Sequence, residues 1–129
     1  MINPIKEPMK IRLIPPEEPI YLECLPDGGL VESETDAFNL VAACGENGVQ
    51  RLLIHESNLT DAFFDLRTGL AGAALLKFSN YQIRAAAVIP SERAHAGRFG
   101  EMTLEDRRRN HDFQVFDTVE DADAWLRKD

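Results

Sequence analysis

The chain has 129 residues, 44% of them hydrophobic and 28% charged, a make-up that fits one globular domain and excludes a disordered or collagen-like chain. With 22 acidic against 14 basic residues the net charge is −8, which repels phosphate backbones and anionic headgroups, so neither nucleic acid nor a membrane is an expected partner. No apolar run approaches the roughly 20 residues needed to cross a bilayer. The opening MINPIKEPMK has no continuous apolar stretch and no small-residue cleavage site. A cytoplasmic protein is therefore expected, with a domain over residues 11–129 behind an arm of residues 1–10.

In chain order, IRLI (Ile11–Ile14) and IYLECL (Ile20–Leu25) predict two strands, and the PPEEP between them forbids continuous pairing and requires a turn, which makes a hairpin. LPDGGL is a second turn. The stretch ESETDAFNLVAACGENG has a capping pattern at Ser33 to Asp36 and places Ala37, Leu40, Val41 and Cys44 on one face, predicting a helix that Gly45 stops. VQRLLIH (Val49–His55) predicts a strand covered on both faces. From Asp61 to Tyr81 the apolar positions Phe63, Leu66, Leu70, Ala73 or Ala74, and Phe78 recur as on a core-facing helix. Thr60, Asp61, Asp65 and Thr68 are each able to cap its start, so a short first turn before a longer helix from Thr68 is one way to divide it.

IRAAAVI (Ile83–Ile89) predicts a further buried strand ended by Pro90. SERAHAGRFGEMTLEDRRRN reads as a loop and a weak helix, FQVF (Phe113–Phe116) as a short strand, and TVEDADAWLRK as a capped helix with Val119, Ala122, Trp125 and Leu126 on its apolar side. Burial of Trp125 is expected to close one side of the sheet. The order ββαβαβαβα predicts a single-domain α/β sandwich: a mostly parallel sheet of four to five strands with an N-terminal hairpin at its edge.

Within DAFFDLRTGLAGAALLKFSNY, Thr68, Gly69 and Gly72 raise three possibilities: a phosphate cradle, a phosphorylation site and close packing. Neither GxxxxGK[ST] nor GxGxxG is present, which excludes the first. Gly69, Ala71, Gly72, Ala73 and Ala74 present a thin helix surface, so close approach of another element is the expected reason for the glycines. Cys24 and Cys44 sit in apolar runs and are expected as buried thiols. His55, His95 and His111 lack zinc-ligand spacing, and no metal or cofactor is expected. Arg107–Arg109 follow Glu101, Glu105 and Asp106, the charge order that a helix dipole favours at a solvated helix end.

The segments FFDLRTGLAG and KFSNY resemble the uncharacterised bacterial family catalogued as domain of unknown function 4180, over about Leu52 to Trp125. That family in turn is similar to the STAS fold, the sulfate transporter and anti-sigma factor antagonist fold. The resemblance implies a sheet with helices mainly on one face and a regulatory role through protein partners. In antagonists of this fold a loop reading roughly Asp-Ser-Ser-Gly-Leu-Gly carries the phosphorylated residue before its glycine. Asp65-Leu66-Arg67-Thr68-Gly69-Leu70 matches that loop with one residue inserted, and so implies Thr68 as phosphoacceptor beside Arg67 and Asp65. The ending FQVFDTVEDADAWL resembles the Sec14-like, lipid-transfer branch of the same superfamily.

Three functions follow as expectations. The first is a non-enzymatic regulatory or protein-interaction module, switched at Thr68, with an unidentified protein partner. The second is a carrier of a small apolar ligand or lipid, for which a pocket lined by Phe63, Phe64 and Phe78 is the requirement. The third is an enzyme built on His55, Glu56 and Ser57 at a strand's carboxyl end, where α/β sheets bind ligands; no GxSxG elbow supports it, and a His55 hydrogen-bonded to the adjacent loop is the plainer expectation. Open sheet edges and the arm also predict a homodimer.

Overall fold

Strand alternation decides which side chains meet, and here it divides the sheet into two unlike faces. The structure, a computed structural model, describes residues 8–94, 97, 99–102 and 112–128. Strands β1 (Ile11–Ile14) and β2 (Tyr21–Cys24) form the expected antiparallel hairpin, with Arg12 opposite Glu23. The Ile14–Pro15 bond is cis, and the Ile20 N–H donates to the Ile14 carbonyl at 2.7 Å to close the turn. Strands β3 (Arg51–His55), β4 (Arg84–Val88) and β5 (Phe113–Phe116) then add in parallel, giving the order β1-β2-β3-β4-β5.

A sheet that grows in one direction by right-handed crossovers places every crossover on the same face. Helices α1 (Glu34–Glu46), α2 (Asp61–Phe64) and α3 (Leu70–Asn80) occupy that face, as do the four-residue α4 (Ser91–Ala94), through Ala94, and Phe99 beyond it. Short 3-10 turns at Glu56–Asn58 and Leu66–Thr68 join β3 to α2 and α2 to α3. The main core lies between Leu22, Cys24, Leu52 and Ile54 of the sheet and Leu40, Ala74 and Phe78 of the helices. Both cysteines are buried free thiols, and burial pushes Cys24 up to about 11 and Cys44 to about 12.

The opposite face holds Tyr21, Leu53 and Ala86 under the last helix, α5 (Val119–Leu126), which contributes Ala122 and Leu126. The Thr118 hydroxyl caps its start by accepting the Asp121 N–H. At its other end two sheet arginines satisfy carbonyls that the helix cannot. Arg51 donates to the Leu126 carbonyl, and Arg84 donates to those of Trp125 at 3.1 Å and Lys128 at 2.6 Å. Tyr21 Oη donates to Asp123 Oδ1 at 2.7 Å.

Two expectations are corrected at this level. Trp125 is half-buried, flanked by the Phe116 ring and the Arg84 guanidinium, because Ala122 and Leu126 are the positions that point into the sheet. Gly45 lies inside α1, and the chain leaves the helix at Asn47 and Gly48, whose φ of +68° is the left-handed value. The Arg107–Arg109 block, His95, His111 and arm residues 1–7 lie outside the described residues.

Candidate functional site

The approach to α3 is built from successive caps. The Thr60 hydroxyl accepts the Phe63 N–H at 3.3 Å and starts α2; Asp65 Oδ1 accepts the Arg67 N–H at 3.0 Å and starts the following turn. The Asp65 carboxylate also takes Arg67 Nε at 3.0 Å and Nη2 at 2.9 Å, a fork that holds Asp65 below the usual carboxylate range and Arg67 above its own ordinary value. Arg67 is almost fully exposed, so this pair shapes the turn more than it stabilises the fold.

Thr68 is exposed, with Oγ1 2.6 Å from the Ala62 carbonyl oxygen and 2.8 Å from that of Asp65. Oγ1 also accepts the Leu70 N–H at 3.2 Å, the first amide of α3. The hydroxyl therefore ties α2 to the start of α3 at the protein surface. Between them Gly69 has φ +75° and ψ 0°, a left-handed conformation that a side chain would strain.

That conformation corrects the packing explanation for the glycines. Among the described residues, a Cβ at Gly69 or Gly72 would have no heavy atom within 4 Å, so neither glycine makes room for one of them. Gly69 is explained by its φ. Ala71 and Ala74 are the small residues that lie against the core, while Gly72 faces solvent beside Leu76, which is 61% exposed.

At the end of β3, His55, Glu56 and Ser57 do not converge on a common point. Ser57 Oγ donates to the Pro26 carbonyl at 2.6 Å, and Glu56 pairs with Arg93 at 3.6 Å. His55 and Asn58 cap one another: the His55 ring faces the Asn58 backbone N–H, and Asn58 Oδ1 accepts the His55 N–H at 2.9 Å. Nε2 of His55 then donates to Glu23 at 2.7 Å. The crossovers after β2 and β3 leave for the same face, so no crevice opens at this strand end. The change of face falls between β4 and β5, where Ser91 Oγ donates to Asp117 Oδ1 across the gap.

Sequence reasoning passed over Glu23, Arg12 and Asn58. Glu23 is buried on the α5 side of the sheet, with its carboxylate shared between His55 Nε2 and Arg12, whose Nε lies at 3.2 Å and Nη2 at 2.6 Å. Burial works to raise the Glu23 carboxyl, but the hydrogen bonds from His55 and Arg12 and the charge of Arg12 outweigh it and hold the group below its ordinary value. A folded-state value below the unfolded one adds stability above the unfolded carboxylate range, and that stability is lost as pH falls through the folded value. Melting temperatures measured from pH 7 down to about pH 3 should therefore fall less steeply on the acid side for Glu23→Gln than for wild type. Parallel acid limbs in the two proteins would contradict the ion-paired Glu23. Among the described residues no group of three or more His, Cys, Asp or Glu lies together to hold a metal ion.

Phe63 and Phe78 are fully buried core residues, and Phe64 is covered by Arg93, 3.8 Å from its ring centroid, so the pocket expected among these rings is filled. A cleft of about 420 Å³ lies elsewhere, between Met9 and Ile11 on one side and Leu40 and Ala43 of α1 on the other. No helix among the described residues is long and apolar enough to cross a membrane.

Together these features define an α/β domain with one five-stranded mixed sheet and a capped, exposed turn at the start of α3. Residues 17–126, most of the chain, match the family described as Domain of unknown function (DUF4180), and the chain belongs to that family. No curated protein and no solved structure matches it.

Proposed function

We propose that the domain is a non-enzymatic regulatory or protein-interaction module of the STAS type, which receives its partner on the outer face of α3 and is switched at Thr68. The observation that carries this proposal is Gly72. An exposed glycine in a helix costs up to about 1 kcal/mol against alanine, and Gly72 has no neighbour among the described residues to require it. An external surface that must approach the backbone closely does require it. Gly72 and Leu76 lie one turn apart on one outward stripe of α3, and the Thr68 hydroxyl, in the turn just before the helix, accepts the first α3 amide, so the tie at Thr68 stands at the start of the helix that carries this stripe. A phosphate on Thr68 would replace the hydroxyl's bond to the Ala62 carbonyl and bring about −1.5 to −2 units of charge to the N-terminal end of α3.

Thr68→Glu is expected to keep the melting temperature within a few degrees of wild type, since the residue is exposed and the lost hydrogen bond is worth about 1 kcal/mol. It should weaken binding of the protein partner, whereas Gly72→Ala should raise the melting temperature slightly and weaken the same binding. Thermal melts and affinity capture of wild type, Thr68→Ala, Thr68→Glu and Gly72→Ala decide the matter. Unfolding by glutamate alone, or undiminished capture by all variants, contradicts the proposal.

Binding of a small apolar ligand is a second reading, favoured by the cleft beside α1, whose volume reaches the range of small-molecule sites. Its rim carries Asp36, Asn39 and Glu46, so any lipid there would have to present a polar or cationic group. Native mass spectrometry of the purified protein, with the mass of an apolar ligand retained on the folded chain, is the result this reading requires.

A further inference from the structure

The end of α1 is closed by a turn that glycine enters without strain. Gly48 takes φ +68°, its N–H donates to the Gly45 carbonyl at 3.2 Å, and the Val49 N–H donates to the Cys44 carbonyl at 3.0 Å, the paired bonds of a Schellman turn. The residue before it, Asn47, is exposed and caps the helix with its side chain, Nδ2 donating to the Ala43 carbonyl at 2.8 Å. The fold thus sets an exposed asparagine directly before a glycine that the turn requires. No other asparagine of the chain precedes a glycine. We propose that Asn47 is a self-modification site, converted to aspartate and isoaspartate through a succinimide formed with Gly48, and that the last turn of α1 gates the conversion.

A glycine amide has no Cβ to shield it, so its nitrogen reaches the preceding side-chain carbonyl more easily than that of other residues. Loss of the Gly48 amide proton to solvent base frees an electron pair that bonds Cγ of Asn47; the Cγ–Nδ2 bond breaks, and Nδ2 takes up a proton and leaves as ammonia. Water then opens either carbonyl–nitrogen bond of the five-membered ring, so one water is consumed and one ammonia released. In the closed turn neither reacting group is at liberty, since the Gly48 N–H is held by Gly45 and Nδ2 by Ala43. With ψ 6° at Asn47, the Gly48 nitrogen also lies close to eclipsing the Asn47 backbone nitrogen and away from Cβ, so the ring closes only after the turn opens. Conversion replaces the donor to Ala43 with a carboxylate at the negative end of the helix, beside Glu46. The last turn is thereby loosened, and with it the side of the cleft that Ala43 and Glu46 form.

Peptide mapping by mass spectrometry of the full chain, held in mildly alkaline buffer, tests this. The peptide containing residue 47 should gain the mass of amide-to-acid exchange before any other asparagine-containing peptide, and as two separable products. In urea the wild type should convert several times faster than when folded, because the turn no longer guards the reacting groups. Unfolded Gly48→Ala should convert several times more slowly than unfolded wild type, a comparison that does not require the variant to fold. Asn47→Asp, which brings the charge without the altered backbone, should melt below wild type. Residue 47 intact while another asparagine converts, or equal rates for unfolded wild type and Gly48→Ala, overturns the site. A folded rate equal to the unfolded one overturns the gate, and an unaltered melting temperature for Asn47→Asp overturns the loosening of α1.

Discussion

Asn58→Ala is expected to cost about 3 to 5 kcal/mol, a large part of the 5 to 15 kcal/mol that holds a domain of ordinary stability. The side chain is fully buried and every polar atom is engaged. Nδ2 donates to the Leu25 carbonyl at 2.8 Å and the Gly29 carbonyl at 3.0 Å, and Oδ1 accepts the His55 N–H. Truncation removes three hydrogen bonds, worth about 1 kcal/mol each, and leaves the His55 N–H without its side-chain acceptor, while the Leu25 carbonyl keeps the Gly28 N–H and Gly29 is exposed; the cavity left by a fully buried side chain adds to the cost. It also releases the loop after β2, which the Val31 N–H to Asn58 carbonyl bond at 2.7 Å otherwise pins to the end of β3. Urea unfolding at neutral pH measures the loss; a change below about 1 kcal/mol would mean that water substitutes for the amide without penalty.

Phe63→Ala should cost about 3 to 5 kcal/mol for a different reason, the cavity left by a ring with no solvent exposure. Its ring packs against those of Phe64 at 5.8 Å and Phe99 at 5.9 Å. Its backbone N–H is the one that Thr60 caps, and the neighbouring Ala62 carbonyl receives the Thr68 hydroxyl. Calorimetry reports the stability change, and amide exchange across residues 66–70 should rise with it, because the turn before α3 is anchored through α2. Protection of those amides unchanged from wild type would show that the turn stands without the ring.

Much of the fold was legible because it rests on local periodicity. The apolar runs at Ile11–Ile14, Leu52–Ile54 and Phe113–Phe116, and the caps at Ser33 and Thr118, lead to the same elements that the structure contains. Local conformation was harder. Gly45 and Gly48 are both available to end α1, and only the backbone reveals that Gly48 takes the left-handed turn. The glycines of α3 were misread because spacing cannot distinguish a helix surface covered by its own fold from one left open.

The candidate site was less legible, since its decisive contacts join distant parts of the chain. Glu23 meets Arg12 across 11 residues and His55 across 32, and Asn58 reaches Leu25 across 33. A lone glutamate within IYLECL was the available signal, because a carboxylate in a buried strand demands a partner. The rings of Phe63 and Phe78 could equally have lined a pocket or filled a core; the packing of helices on the sheet decides by burying both.

Photo-crosslinking from position 76 tests the use of the α3 face most directly. With a photoreactive amino acid in place of Leu76, irradiation of cells expressing the protein should give a defined protein adduct, which Thr68→Glu in the same chain suppresses while the protein remains folded. Absence of any adduct from position 76, or an adduct of equal yield in the Thr68→Glu chain, would contradict a docking surface switched at Thr68.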